Sequence, residues 1–174
     1  TGTNAASIGS GSVSVVGTAI FKATFVTGTA TDPEAVLANT NNSALVLEGW
    51  NGTASESNGV QFNVSTVGKT AIVINWDAQP SNSGPKHYRL LYTTNVAEAS
   101  PTWVQYSASG AGTESGLFAN LVGSNATLQN QADLSSVTGV RNNPNFAFRL
   151  VSAHAPGTSA YAAAGTGSTF GPTG

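Results

Sequence analysis

The chain has 174 residues, a length that fits one domain with a core large enough to fold without disulfides or a structural metal. It contains no cysteine, which excludes disulfides, thiolate catalysis and cysteine–zinc sites. Charged residues make up 8% of the chain and the formal net charge is −2, so composition gives no electrostatic basis for binding nucleic acid or an anionic membrane.

The composition also bears on where the protein works. Hydrophobic residues reach 40% and alternate with polar ones, which argues against a disordered chain. A surface made mainly of Ser, Thr, Asn and Gly is typical of secreted bacterial β-proteins, so we expect an extracellular or cell-surface location. The chain begins at Thr1 and has no methionine, which indicates a processed mature chain. No apolar run of about 18 residues is present, so membrane insertion is not expected.

The first third of the chain reads as a polar leader followed by strands. Residues 1–11 are rich in Gly, Ser and Ala, and we expect them to be flexible or to contact a neighbouring subunit. Residues 13–26 have strand periodicity that places Phe21 and Phe25 toward the core. The only helix-like piece is a short turn at residues 33–37, and a short strand follows at residues 44–47.

Residues 60–77 form the stretch around which the rest of the sequence is organised. Val60, Phe62 and Val64 alternate with polar residues, as in a half-buried strand. Gly68 can take the positive φ of a turn, and residues 71–76 are apolar and β-branched. This pattern predicts a β-hairpin at the centre of a sheet.

Further strands are predicted at residues 86–94, 103–107, 117–122, 127–134 and 145–152. Strands at this spacing, separated by Gly, Pro and Asn, predict an all-β fold: one antiparallel β-sandwich of jelly-roll type spanning residues 1–174, with little or no helix. Large apolar side chains on these strands form the predicted core: Phe62, Ile72, Ile74, Trp76, Tyr88, Leu90, Phe146 and Phe148.

No catalytic motif is found in the sequence. His87 and His154 are the only histidines, and no acidic motif places either of them in a triad with a serine. We therefore predict a protein that is not an enzyme and needs no cofactor.

Five residues are candidates for ligand binding. Asp77, Arg89 and Arg149 would lie on one sheet face if their strands were neighbours, where they could hold a sugar or a carboxylate ligand or form a structural ion pair. Trp50 and Trp103 are the tryptophans expected near loops, where rings that stack on sugars belong.

The sequence also contains candidate residues for cation binding and for glycosylation. Asp133, together with backbone carbonyls, is a candidate for Ca²⁺ by analogy with other jelly rolls. Asn-X-Ser/Thr sequons occur at four asparagines, of which Asn51 and Asn125 are favoured. Asn63 lies inside a predicted strand, which is an awkward position for a glycan.

Four segments together carry a family resemblance: GVQFNVSTVGKTAIVINWD, HYRLLYTT, PTW and the long DLSSVTGVRNNPNFAFRLVSAHAPGTSAYAAA. The chain resembles the β-sandwich domain of large secreted, surface-anchored proteins of environmental bacteria, which stands beside lamin-tail, nuclease or sorting-signal segments. The resemblance implies export and a sandwich fold, and it brings no catalytic residues. Similar domains continue into a final strand, so we expect an open sheet edge where this chain stops.

Two functions of different classes follow. The first is a secreted structural subunit that assembles with copies of itself into a filament, sheath or surface layer by strand exchange, with contacts through Val13, Val15, Phe21 and Phe25. The alternative is a carbohydrate-binding or adhesion module of a larger secreted protein, with polysaccharide as its partner. The sequence favours the first.

Overall fold

The computed structural model describes residues 4–5, 10–27, 43–78, 80–107, 116–119 and 128–171. Within these ranges the chain forms antiparallel strands and no helix, which confirms the predicted all-β class. The predicted helical turn at residues 33–37 lies outside the described residues.

Eleven strands form in the described ranges. In chain order they are β1 (Asn4–Ala5), β2 (Gly11–Val16), β3 (Ile20–Thr27), β4 (Ser43–Glu48), β5 (Gly59–Val64), β6 (Val73–Ala78), β7 (His87–Thr93), β8 (Val104–Gln105), β9 (Leu117–Ala119), β10 (Leu128–Asp133) and β11 (Ala147–Ser152).

The strands form one large sheet and two small ones. The large sheet has seven strands in the order β1-β2-β5-β11-β7-β8, with β9 also paired to β7. Strands β6 and β10 form a two-stranded sheet, and β3 pairs with β4 in another. The large sheet therefore brings strands from both halves of the chain side by side.

The predicted central hairpin is wrong. Strand β5 pairs with β2 and β11, whereas β6 pairs with β10 in a different sheet. The segment between β5 and β6 is bound to a distant loop: the Gly68 amide donates to Asn142 Oδ1 over 2.9 Å, and the Thr66 hydroxyl donates to the Val140 carbonyl over 2.6 Å. The chain thus passes from one sheet to another. The apolar side chains of both strands point into one core. Apolar and polar residues therefore alternate in β5 and β6 as they would in the two strands of a hairpin.

The β6–β10 sheet and the large sheet contribute to one hydrophobic core. We call the side of the large sheet that faces this core the inner face, and the opposite side the outer face. The core cluster comprises seven buried residues: Ile72, Ile74, Leu90, Ala132, Leu134, Val140 and Phe146. Partly buried aromatic side chains, including Trp76, Tyr92 and Phe148, pack against it.

The predicted core residues fall into two groups. Five are buried: Ile72, Ile74, Tyr88, Leu90 and Phe146. Trp76, Phe62 and Phe148 are only partly buried, and the rings of the last two stack with centroids 4.8 Å apart. Burial raises the pKa of the Tyr88 phenol, which accepts a hydrogen bond from the Trp76 indole over 3.3 Å. This aromatic contact joins β6 to the inner face.

Asn58 ties the β3–β4 sheet to the large sheet. Its side chain is buried, accepts a hydrogen bond from the Thr18 amide, and donates to the Thr18 hydroxyl over 2.8 Å and to the Gly49 carbonyl over 2.7 Å. Gly17, at φ 66°, passes so close that a Cβ there would lie 2.1 Å from Asn58 Oδ1. One amide side chain therefore connects the turn before β3 with the residue that follows β4.

We expect Asn58→Ala to lower the free energy of unfolding by about 2–3 kcal/mol, because three hydrogen bonds are lost and buried polar groups are left without them. Asn75→Ala is the matched control, since Asn75 is exposed and accepts one hydrogen bond, from Gln131. The control should change stability by less than about 0.5 kcal/mol in urea titrations. Equal effects of the two substitutions would show that Asn58 does not have this role.

Candidate functional site

The outer face of the large sheet carries a row of polar side chains. Gln61 on β5 lies directly opposite Arg149 on β11, and Arg149 lies opposite Leu91 on β7. Residues paired in this way point to the same side of a sheet. Apolar and polar residues alternate in β5, whereas Arg149 is the one charged residue of β11, and the register places it opposite Gln61.

Arg149 and Trp103 form the centre of this row. The Arg149 guanidinium carbon lies 3.7 Å from the centroid of the Trp103 ring, and Arg149 Nε donates to Gln61 Oε1 over 2.7 Å. Burial lowers the pKa of Arg149, yet an arginine keeps its charge at any physiological pH. Arg149 forms no ion pair within the part of the chain that the structure describes.

The row continues as a ladder of hydrogen bonds toward the edge of the sheet. Gln61 Nε2 donates to Asn63 Oδ1 over 2.8 Å, and Asn63 Nδ2 donates to the Ser12 hydroxyl over 3.2 Å. We call Trp103, Arg149, Gln61, Asn63 and Ser12 the outer-face strip. Each member is partly exposed. Sequence reasoning identified Trp103 and Arg149 but missed the other three, for which the sequence signal was the polar alternation in residues 61–63.

The predicted trio of Asp77, Arg89 and Arg149 does not share one sheet. Arg89 pairs with Val151, so it lies on the outer face with Arg149, and its Nε contacts Glu56 Oε1 at 2.9 Å. Asp77 is on β6 opposite Gln129, in the β6–β10 sheet. The trio fails because β6 is not a neighbour of β7 or β11. The ion pair that Arg89 forms is with Glu56, which is not a member of the predicted trio.

Trp50 is held by the backbone around it. Its indole Nε1 donates to the Leu47 carbonyl over 3.3 Å, and its own carbonyl accepts the Ser152 hydroxyl over 2.5 Å. Trp50 thus follows β4 and anchors it to the end of β11. No described contact joins Trp50 to Trp103.

The four predicted assembly residues lie on β2 and β3. Val13 pairs with Phe62 and Val15 with Val60, so both valines point to the inner face and are partly buried in their own chain. Phe21 lies opposite Leu47. Phe25 lies on β3, and its side chain is outside the described residues. Within residues 1–11, β1 pairs with Ser12 and Val13 of the same chain.

A polar cleft of about 720 Å³ opens between the end of β8 and the loop after β10. Its lining includes Tyr92, Tyr106, Ser107, Asp133, Ser136 and Arg141. The Ser135 amide donates to Asp133 Oδ1 over 2.8 Å, and the Asp133 amide donates to the Tyr106 hydroxyl over 3.1 Å. Arg141 donates to the Ser135 carbonyl.

The lining of the cleft includes one carboxylate, Asp133, and one guanidinium, Arg141. Hydrogen bonds from the Ser135 side chain and amide hold the pKa of the exposed Asp133 below its ordinary value. Asp133 was also the candidate for Ca²⁺, but no group of three or more His, Cys, Asp or Glu side chains suited to a metal occurs in the described ranges. Any cation there would need serine hydroxyls, tyrosines or carbonyls as its remaining ligands.

The remaining candidates are the two favoured glycosylation sites and the two histidines. Asn51 is exposed on the loop between β4 and β5, where a glycan would be accessible, and Asn125 lies outside the described residues. His87 is buried at the start of β7. His154 packs edge-on against Tyr161, with ring centroids 4.6 Å apart.

No helix in the described ranges is long and apolar enough to cross a membrane. Comparison with known proteins adds no assignment: no protein-family model matches the chain, and no curated protein or solved structure shows significant similarity to it.

Proposed function

We propose that this protein is a non-catalytic extracellular domain that binds an acidic polysaccharide, one bearing uronate or similar carboxylates, through the outer-face strip. The observation that carries the proposal is the environment of Arg149. Its guanidinium is half-buried on Trp103 and fixed by Gln61, and it forms no ion pair with the described residues. A cation so placed is available to a carboxylate on a ligand.

The chemistry of the strip suits a sugar chain. An aromatic ring offers an apolar surface to the C–H face of a sugar, and a guanidinium can bind a carboxylate through two parallel hydrogen bonds. The amides of Gln61 and Asn63 and the Ser12 hydroxyl continue the polar surface across β11, β5 and β2. Because the ladder already orients these groups, ordering them costs little when a ligand binds.

The competing explanation is that Trp103 and Arg149 only clamp the segment before β8 onto the sheet. A clamp contributes to stability whether or not a ligand is present, whereas a binding site can lose its ligand without unfolding. Measuring both stability and binding on the same variants therefore distinguishes the two explanations.

We expect Arg149→Met to weaken binding of an oligogalacturonate about 10–100-fold, the loss that follows from removing charged hydrogen bonds. Methionine keeps an unbranched apolar stem that packs on Trp103, so the thermal midpoint should change little. Isothermal titration calorimetry at low salt measures the binding. Cellohexaose serves as the uncharged probe, and it should bind less tightly than the oligogalacturonate.

Lys69→Met is the matched control because it removes one positive charge from an exposed position away from the strip. The affinity of this variant for the oligogalacturonate should stay within about twofold of that of the unsubstituted protein. The small remaining change should depend on salt, because the variant has one positive charge fewer to attract the anionic ligand. If Lys69→Met and Arg149→Met weaken binding equally, the attraction is diffuse and the strip is not the site. If Arg149→Met lowers the thermal midpoint without changing affinity, the clamp explanation is correct.

Assembly into a filament or surface layer is the second candidate function, and one observation favours it. Strand β2 carries no charged residue. At the edge of β2 that does not pair with β5, β1 pairs only with Ser12 and Val13 in the described ranges. An uncharged strand with part of its backbone uncovered can pair with another chain. The short β1 argues the other way, since very short edge strands discourage such pairing.

Light scattering and electron microscopy test assembly directly. If the protein assembles, the full chain forms filaments or large oligomers, and deletion of residues 1–9 changes their formation. Monomeric behaviour of both proteins at high concentration would eliminate assembly and leave polysaccharide binding as the proposed function.

A further inference from the structure

The polar cleft lies at the β8 edge of the large sheet and shares no lining residue with the outer-face strip. Tyr92 pairs with Phe148 across β7 and β11, and both point to the inner face. Arg149 is next to Phe148 in the strand, so it points outward. Gln105 of β8 lies opposite Leu91 and also lines the cleft, so the cleft opens at the sheet edge and is distinguished from the strip by its residues.

Three properties of the cleft indicate a ligand class. Its volume of about 720 Å³ lies within the range of small-ligand sites, roughly 300–1,000 Å³. Its lining combines the rings of Tyr92 and Tyr106 with the hydroxyls of Ser107 and Ser136. It holds hydrogen-bond acceptors and donors together, which matches groups that both donate and accept, as sugar hydroxyls do.

The charges in the cleft argue for a neutral ligand. Asp133 and Arg141 both line it, so one negative and one positive charge offset each other. The Asp133 carboxylate is exposed and uses Oδ1 to accept the Ser135 amide, and a carboxylate has further acceptor sites for ligand hydroxyls. Arg141 gives one N–H to the Ser135 carbonyl and has five in all.

We propose that this cleft is a second binding site, one that takes an uncharged sugar unit, with the Asp133 carboxylate accepting hydrogen bonds from two of its hydroxyls. A domain with two sites made of different residues can hold two glycan chains at once and join them. The cleft proposal rests on its own residues and does not depend on the proposed function of the outer-face strip.

The test is an amide NMR titration of the ¹⁵N-labelled full chain with neutral oligosaccharides: cellohexaose, xylohexaose, mannohexaose and chitohexaose. At least one should shift the amide signals of Ser107, Ser135 and Ser136 in a saturable manner. Asp133→Asn should weaken that binding about tenfold or more, because the amide loses the charge while its Oδ1 still accepts the Ser135 amide. Glu98→Gln removes one negative charge from an exposed position outside the cleft and should leave the shifts unchanged.

The pH dependence has a defined sign. The pKa of Asp133 is held low, so its carboxylate remains ionised and binding should persist as the pH falls from 7 to about 5. Binding should weaken only as the pH falls through the lowered pKa of Asp133. In Asp133→Asn this acid-dependent loss should disappear.

Three results would overturn the proposal. The first is that no oligosaccharide of the panel shifts the cleft amides at millimolar concentration. The second is that Asp133→Asn binds as well as the parent. The third is that CaCl₂ alone produces the same shifts and EDTA abolishes binding of the sugar, which would make the cleft a cation site.

Discussion

Replacing Gly59 with alanine is expected to destabilise the protein by at least about 3 kcal/mol, because the new methyl group has no space. Gly59 lies on β5 between Val16 of β2 and Val151 of β11. A Cβ at this position would be 2.0 Å from the Leu150 carbonyl oxygen and 2.8 Å from the Val151 Cα. Both are backbone atoms, so the strands of the large sheet must separate to accommodate it.

Gly68→Ala is the matched control for this substitution. Gly68 has φ 75°, and a Cβ there would meet nothing within 4 Å. Its replacement should cost only the strain of a left-handed residue, about 1–2 kcal/mol. Urea titrations of both variants measure the difference. If Gly59→Ala is no more destabilising than Gly68→Ala, the pairing of β5 with β11 at this register is incorrect.

Phe146→Ala should lower the free energy of unfolding by about 3–5 kcal/mol. Phe146 is 1% exposed and belongs to the core cluster, so its removal leaves a cavity as well as losing the burial of a large ring. A loss of this size is a large share of the roughly 5–15 kcal/mol that holds a typical domain together. Thermal and denaturant unfolding should both show it.

Two further variants calibrate that result. Phe148→Ala should cost less than Phe146→Ala, because Phe148 is only partly buried and stacks on Phe62. Val104→Ala, at a side chain that is 45% exposed, should cost less than about 1 kcal/mol. If Phe148→Ala proves more destabilising than Phe146→Ala, the core is centred further along β11 than the structure places it.

The stability variants also define how the binding sites must be tested. Phe146 immediately precedes β11, the strand that carries Arg149, so a core substitution would abolish binding simply by disturbing the strand. Substitutions at Arg149 and Asp133 avoid this problem because their side chains lie at the surface or half-buried. A loss of binding in those variants, with an unchanged thermal midpoint, therefore reports on the site itself.

The sequence by itself determined the all-β class, most strand positions and, for β5, β6, β7 and β11, the side of the strand that faces the core. Alternation of apolar and polar residues is a local signal, so it can be read without knowing which strands are neighbours. The alternation at Val60, Phe62 and Val64 correctly marked the inner side of β5, and the apolar positions of β6 were equally clear. The sequence also marked Arg149 and Trp103 as candidate ligand-binding residues.

Only the tertiary structure decided which strands pair. Period-two alternation is the same for two strands joined in a hairpin and for two strands that face each other across a core, which is why β5 and β6 were wrongly paired. Pairing of β5 with β11 brings Gln61 to Arg149 from 88 positions away in the chain. The cleft likewise combines Tyr92, Tyr106 and Asp133, which are far apart in the sequence. The strip arises from strand register, and the cleft arises where the end of β8 meets the loop after β10. Both depend on long-range backbone hydrogen bonds and packing that no local pattern of residues specifies.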